Sequence, residues 1–325
     1  MNHLPIYLLA SLLWWAACQS HPEAPPDQAQ PTAAVSQADD YHNRTHLLEV
    51  AEVLPLLTQP DVLLLEVSKP DEYAKGHLPG AHHIWRPHYA NASDYAYGGM
   101  MASIATLEAL LSGYGADAET RILLYDAKGN VDASRLQWIL HEYGHAHTAL
   151  INGGKAAWLA ADLPLAHERP EPRQAQFRFA SLTYQPRQAA TLDEVLAALD
   201  DPNVVLVDTR TAEEYHGLTQ KQGAARAGRI PGAVHLDWAE SVNYDGDFCF
   251  KSVRALRYLY ERAGITPDKR IITYCHSGVR SAHTAFVLSH LLGYPEVVNY
   301  DGSWTEWSHH AHLPIEVSPA TAAQP

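Results

Sequence analysis

Arg121-Ile122-Leu123-Leu124-Tyr125-Asp126 recurs 149 residues later as Arg270-Ile271-Ile272-Thr273-Tyr274-Cys275. The same displacement carries Gly129 onto Gly278, Ala133 onto Ala282, Gly144 onto Gly293, Gly153 onto Gly302 and Trp158 onto Trp307. One constant displacement over so many glycine, aromatic and strand positions marks an internal duplication. Upstream, Val62-Leu63-Leu64-Leu65-Glu66-Val67 and Val204-Val205-Leu206-Val207-Asp208-Thr209 both read as buried strands. Glu72-Tyr73 matches Glu214-Tyr215 at a displacement of 142, and Gly76-His77-Leu78-Pro79-Gly80-Ala81 matches Gly228-Arg229-Ile230-Pro231-Gly232-Ala233 at 152. The second copy therefore carries an insertion of ten residues, about 218–227.

Amphipathic helical patterns at 106–114, 133–143, 191–199, 252–263 and 282–292 alternate with these strands. Strand and helix in alternation imply the α/β class, with each copy a parallel sheet covered by helices on both faces. The first unit is expected over 41–166 and the second over 188–317, with a Pro/Arg/Gln-rich connector at 167–187 and a tail at 318–325. Ligands of such sheets bind beyond the C-terminal strand ends, where Cys275 lies.

The chain has 325 residues, 46% hydrophobic and 18% charged, which is globular composition for about two domains. Its net charge of −14 argues against nucleic acid as a partner, since phosphate binding needs a basic face. The 20 histidines show no HExxH-type spacing, so neither a metal site nor a cofactor is expected. Three cysteines, Cys18, Cys249 and Cys275, lie far apart with no CxxC and cannot make a disulfide framework.

Residues 4–17 form an apolar stretch too short to span a membrane with confidence, and it fits the core of an export signal. It ends Trp14-Trp15-Ala16-Ala17-Cys18, which resembles the bacterial lipoprotein signal and implies lipidation at Cys18. The match departs from the pattern in two places: no Lys or Arg precedes the stretch, and Trp15 stands where Leu is usual. An uncleaved anchor and simple secretion remain as alternatives. Residues 19–40 read as a Pro/Ala/Gln tether. The expectation is an exported protein of the periplasm or outer membrane, touching the membrane only through a lipid.

Cys275 stands between a buried strand and a helix. Backbone N–H groups of the loop and first helical turn converge there, and the helix dipole adds positive potential. Arg280 adds a full charge, so a depressed thiol pKa is expected. In the first copy Asp126 occupies the position of Cys275, and Val131 that of Arg280. The copy kept its scaffold and lost the thiol, so it is expected to form one wall of an interdomain cleft.

These residues resemble the two-domain rhodanese sulfurtransferases. The resemblance rests on Glu72-Tyr73-Ala74-Lys75-Gly76-His77-Leu78-Pro79-Gly80-Ala81, on the Cys275–Arg280 loop, and on Tyr300-Asp301-Gly302-Ser303-Trp304-Thr305-Glu306-Trp307. It covers about 45–315 and implies two tandem rhodanese-like domains, the first inactive, the second carrying a persulfide on its cysteine. Sulfur transfer needs a thiolate to attack an activated sulfur atom, then a cradle of N–H groups to hold the Cys–S–S⁻ anion. In that scheme Gly278 lets the backbone curl. Arg280 stabilises the anion or orients donor oxygens, Ser277 donates a hydrogen bond or only packs, and His276 supplies charge or a hydrogen bond or points outward. Val279 completes the loop. The related cell-cycle phosphatases have five residues between Cys and Arg where this chain has four, which favours sulfur over phosphate.

Partners are thus a small-molecule sulfur donor and a thiophilic acceptor such as cyanide or a thiol. The mercaptopyruvate branch shares Ser277, Gly278 and Val279 but places an arginine where Glu214 stands, and a glutamate there would repel a substrate carboxylate. Thiosulfate is therefore the expected donor, mercaptopyruvate the alternative. A non-enzymatic persulfide carrier fits the same loop, and a purely structural envelope lipoprotein is the third reading. Arg86 is a candidate for the cleft, against an ordinary surface role. Asp208 and Arg210 are expected to tie a strand end to its neighbours, and Trp304 and Trp307 to pack. Arg229 replaces a family histidine in a packing role. Cys249 is expected as a half-buried spectator, with pairing to Cys275 as the rival.

Overall fold

The computed structural model describes residues 40–90, 95, 97–171, 175–180 and 188–318. The signal stretch with Cys18, and the tether to residue 39, lie outside the described residues. No helix among the described residues is long and apolar enough to cross a membrane.

The first copy runs β1 (Leu47–Leu48), α1 (Val50–Val53), β2 (Val62–Val67), α2 (Pro70–Ala74), β3 (His82–Ile84), α3 (Ile104–Gly113), β4 (Arg121–Tyr125), α4 (Val131–Glu142), β5 (Thr148–Ile151) and α5 (Gly154–Ala160). The second runs β6 (Ala189–Ala190), α6 (Leu192–Ala198), β7 (Val204–Asp208), α7 (Ala212–Tyr215), β8 (Val234–His235), α8 (Val253–Glu261), β9 (Arg270–Tyr274), α9 (Val279–Phe286), β10 (Val297–Tyr300) and α10 (Ser303–His309). The sheet orders are β1-β5-β4-β2-β3 and β6-β10-β9-β7-β8, and every pairing is parallel. The central strands are apolar on both faces because helices cover both: Ile271, Ile272 and Tyr274 are fully buried.

The duplication extends to individual hydrogen bonds. Tyr73 donates to the Ala81 carbonyl at 2.7 Å and Tyr215 to that of Ala233 at 2.9 Å. Trp158 and Trp307 donate their indole N–H groups to the carbonyls of Pro164 and Pro314, both at 2.9 Å. Thr191 and Glu194 form a capping box that starts α6, and Ser252 caps α8.

From β7 the chain crosses to one side of the sheet, and from β9 to the other. The crevice between β7 and β9 is thus the topological switch point, and Cys275 directly follows β9. The helix after Cys275 begins three residues earlier than the apolar periodicity indicates. Gly278, in the left-handed conformation at φ 75°, caps α9 and brings Arg280 into its first turn. One π-helical turn, Val287–Leu291, completes the expected helix.

The two copies meet where α4 packs along α9. These helices are counterparts under the 149-residue displacement, so the contact is pseudo-twofold. His141 and His290, also counterparts, have ring centroids 5.5 Å apart. The connector is more than a polar link. Phe177 and Phe179 are buried, with their N–H groups on Ser112 Oγ at 2.9 Å and Glu108 Oε1 at 3.0 Å.

Candidate active site

Because α4 and α9 face each other, the loops preceding them open onto one cleft of about 430 Å³. Cys275, His276, Ser277, Val279 and Arg280 line it from the second copy, and Trp85, Arg86, Asp126 and Asp132 from the first. The cleft wall expected of the first copy is therefore present. Gly278 lies beneath the loop; a Cβ there would meet Arg135 Nη1 at 2.7 Å.

The first copy displays a filled version of the loop. Asp126 Oδ1 accepts from the N–H groups of Lys128 at 2.7 Å and Asn130 at 2.8 Å. Its Oδ2 accepts from those of Asp132 at 2.8 Å and Ala133 at 3.3 Å. Burial and the neighbouring Asp132 charge push the Asp126 carboxyl up to about 6, against the pull of those donors. Moved by 149 residues, the four donors are the N–H groups of Ser277, Val279, Ser281 and Ala282. Those of Ser277 and Ser281 stabilise the Cys275 thiolate. The same cradle thus holds a carboxylate in one copy and is offered to sulfur in the other.

Burial alone pushes the Cys275 thiol up. The Arg280 charge, the Ser281 hydroxyl and the two N–H groups outweigh it, and the thiol ends below its ordinary value. The thiolate is the reactive form, so alkylation and sulfur loading should rise with pH and level off below the range of a free thiol. Arg280→Gln should move that rise to higher pH, since it removes the opposite charge. Iodoacetamide rates across pH measure this, and an unmoved profile contradicts it.

Arg280 is not free in the cleft. Its Nη1 and Nη2 form a fork on Glu214 at 2.6 and 3.0 Å. Burial opposes ionisation of Glu214, but Arg280, aided by Lys221 and Arg210, brings its carboxyl down to about 2. Glu214 is thus a neutralised support for Arg280 and not a bare charge facing substrate, which corrects the repulsion expected of it. His276 is half withdrawn from the same picture. Burial and the Lys221 charge bring its pKa down to about 4, so the imidazole is neutral. Its Nε2 meets the Gln222 carbonyl at 3.0 Å, inside the ten-residue insertion. It neither points outward nor supplies charge. Ser277 lines the cleft through a partly exposed side chain.

Arg86 reaches the cleft, with its Nε on Asp132 Oδ1 at 2.5 Å. Arg210 grips Asp208 and the Gly228 carbonyl, and stacks 4.8 Å over Trp304, tying the β7 end to its neighbours as expected. Trp304 and Trp307 are buried packing residues. Arg229 pairs with Glu316 at 3.0 Å and lies over the Tyr215 ring. Cys249 abuts Gly153 of the first copy, and burial with Asp247 pushes its thiol up to about 12. It is not a cleft residue, and Cys249 and Cys275 are both free thiols, so the rival pairing is not formed.

Two supports of the loop escape sequence reading. Ser303 holds a left-handed φ of 51°, rare for a non-glycine residue. Its Oγ accepts from the N–H groups of Cys275 at 3.2 Å and Gly278 at 3.0 Å, which explains why the strain is kept. The counterpart in the first copy is Gly154, at φ 53°. That glycine-for-serine exchange was the visible signal. The second support comes from the other domain. Arg135 on α4 donates to the Gly278 carbonyl at 3.4 Å, to that of Gly99 at 3.0 Å, and forms a buried ion pair with Asp301. His283 on α9 makes the reciprocal contact, its Nε2 meeting the Gly129 carbonyl at 3.1 Å.

The rhodanese-like domain model matches residues 49–161 and 191–310. The chain is 38% identical to the sulfur carrier protein TtuD of Thermus thermophilus over 274 residues, 80% of this chain and 92% of that one. It is 33% identical to a thiosulfate sulfurtransferase of Azotobacter vinelandii over 279 residues, 86% of this chain and all of that one. Among solved structures, an anaerobic ergothioneine biosynthesis enzyme from Chlorobium limicola superposes with a TM-score of 0.76 at 23% identity, over 86% of this chain and 72% of that one. That last likeness is one of fold. With two matched segments falling on the two sheets and a cysteine at the switch point of the second, the chain belongs to the rhodanese family.

Proposed function

We propose that this protein takes sulfane sulfur from thiosulfate onto Cys275 and passes it to a thiophilic acceptor. Sulfurtransferase activity accords with relatives named for it across nearly their whole length. The observation that carries the mechanism is the cradle. In the equivalent loop of the first copy four N–H groups converge on the two carboxyl oxygens of Asp126, which supports reading the Cys275 loop as a cradle for a two-atom anionic group. A Cys–S–S⁻ group is such an anion.

The Cys275 thiolate attacks the outer sulfur of thiosulfate. A new S–S bond forms to Sγ, the S–S bond of thiosulfate breaks, and its electron pair leaves with sulfite. Cyanide or a thiolate then attacks the terminal sulfur and returns Cys275 as thiolate. Arg280, held by Glu214, keeps the sulfur anionic, and Ser303 keeps Cys275 and Gly278 in register. Arg86 approaches from the opposite wall. Paired assays with thiosulfate and mercaptopyruvate, each with cyanide as acceptor, test the donor. Thiosulfate is expected to turn over faster, and a reversed preference overturns the assignment.

The relative named as a sulfur carrier favours a second reading, in which the persulfide is handed to a protein. Retention of Cys275 persulfide in the presence of cyanide would distinguish it. We also propose that the N-terminal stretch is an export and lipidation signal ending at Cys18, and that the protein belongs to the bacterial envelope. Mass spectrometry of the mature N-terminus decides that point, and an unmodified chain beginning elsewhere excludes lipidation.

A further inference from the structure

The ten-residue insertion that distinguishes the second copy is not a loose loop. Arg226 near its end donates to the carbonyls of Trp307, Ser308, His310 and Leu313, at 2.8 to 3.3 Å. The Arg226 carbonyl accepts from the Trp304 indole at 2.9 Å, and the Ala225 N–H meets Ser308 Oγ at 3.0 Å. On the cleft side the Gln222 carbonyl meets His276 at 3.0 Å. Between these anchors the Ala224 N–H closes a turn on the Lys221 carbonyl at 3.1 Å. Lys221, one residue before Gln222, lines the cleft with Cys275 and Arg280.

Lys69 and Lys128 also line the cleft, as exposed residues of the first copy, while the charges nearer the reactive loop are committed. Arg280 is forked on Glu214, Arg86 is on Asp132, and Asp126 is held by its own backbone amides. Lys221 has no hydrogen bond or ion pair among the described residues, and it sits within the electrostatic reach of Arg280, Glu214, Cys275 and Arg86. Two neighbouring cations, Lys221 and Arg280, favour a visiting anion. A doubly charged donor entering a chain of net charge −14 and approaching a thiolate needs such a cation.

Resting on the thiosulfate reading, we propose that Lys221 is the residue that binds the oxyanion end of the donor and steadies the departing sulfite. Arg280 is thereby assigned to the sulfur and Lys221 to the oxygens. The insertion is the device that brings an ammonium to a loop whose own arginine is committed. Specificity follows, because a compact doubly charged oxyanion gains more from this point charge than a singly charged carboxylate does.

The experiment uses the full chain, with Lys221→Ala and Lys221→Arg beside the unmutated protein, at a pH where Cys275 is fully thiolate. The thiosulfate concentration for half-maximal sulfur loading of Cys275, read by mass spectrometry, should rise about 10- to 100-fold in Lys221→Ala, the loss of one charge-assisted contact. Lys221→Arg should restore most of it. Alkylation by uncharged iodoacetamide should be unchanged, whereas protection of Cys275 by sulfite should weaken in parallel with thiosulfate. An unchanged half-saturation in Lys221→Ala, or a matching fall in alkylation, overturns the assignment. If the unmutated protein takes no sulfur from thiosulfate, the donor reading fails instead. The sulfite arm then still decides Lys221, and equal protection in both proteins refutes it.

Discussion

Cys275→Ser is expected to abolish sulfur transfer, with a loss of at least about 10⁴-fold in kcat/KM, the scale seen when a nucleophile is removed. The substitution is nearly isosteric, so the fold and the cleft should persist. A serine hydroxyl is not ionised by Arg280 and two N–H groups, which only need to lower a thiol that is already weakly acidic. It also has no means of storing a sulfur atom. Thiocyanate production together with the mass of the loaded protein measures the result. Moving the cysteine to the first copy should not rescue it: Cys275→Ser combined with Asp126→Cys has the cradle but Val131 at the position of Arg280. Recovery of turnover in that double variant would show that the cradle suffices without the guanidinium.

Arg135→Met is expected to cost about 3–5 kcal/mol of stability, as breaking one partner of a buried ion pair does. Arg135 is fully buried, and the Asp301 side chain is only 6% exposed. Without the arginine, Asp301 keeps only the Met101 N–H at 3.1 Å among the described residues. The Gly278 carbonyl keeps the Asn299 side chain at 3.3 Å and loses its donor from the first domain. Denaturant unfolding should therefore shift to lower concentration, and sulfur loading should fall even where the protein remains folded. Arg135→Met with Asp301→Asn should recover much of the stability, because no unpaired charge stays buried. Activity should recover less, since Gly278 is still unsupported from that side. Equal recovery of both would mean that Arg135 stabilises without positioning the loop.

What the sequence discloses here divides along a physical line. The strand–loop–helix around Cys275 was legible because its determinants are local: a β-branched strand, a glycine and a helical periodicity within a short span. The parallel sheets were legible because buried strands alternate with helices, and the duplication supplied a second specimen of every element. Asp126 at the thiol position was readable for the same reason. The start of α9 was misplaced because apolar spacing does not register the left-handed turn at Gly278. The role of Arg280 was only half visible. Its fork on Glu214 joins residues 66 apart in the chain, and no spacing rule connects them. Arg135 with Asp301, Ser303 with the Cys275 loop, and Phe177 with Ser112 are likewise tertiary facts. Lys221 was in view as part of the insertion, yet nothing in the residues alone folds that insertion back over the cysteine.

The pairing of α4 with α9 has a consequence for how the two halves were free to change. Two copies meeting through the same helix have the geometry of a closed two-subunit assembly, with a covalent tether replacing the symmetry operator. In a true homodimer every substitution appears twice, so both loops facing the cleft must stay identical. Within a single polypeptide each wall is encoded separately. One could trade its thiol for Asp126 and present Arg86, while the other kept Cys275 and acquired ten extra residues. The stoichiometry is fixed at one reactive sulfur per cleft, which removes the hazard of two facing thiols oxidising to a disulfide across the gap.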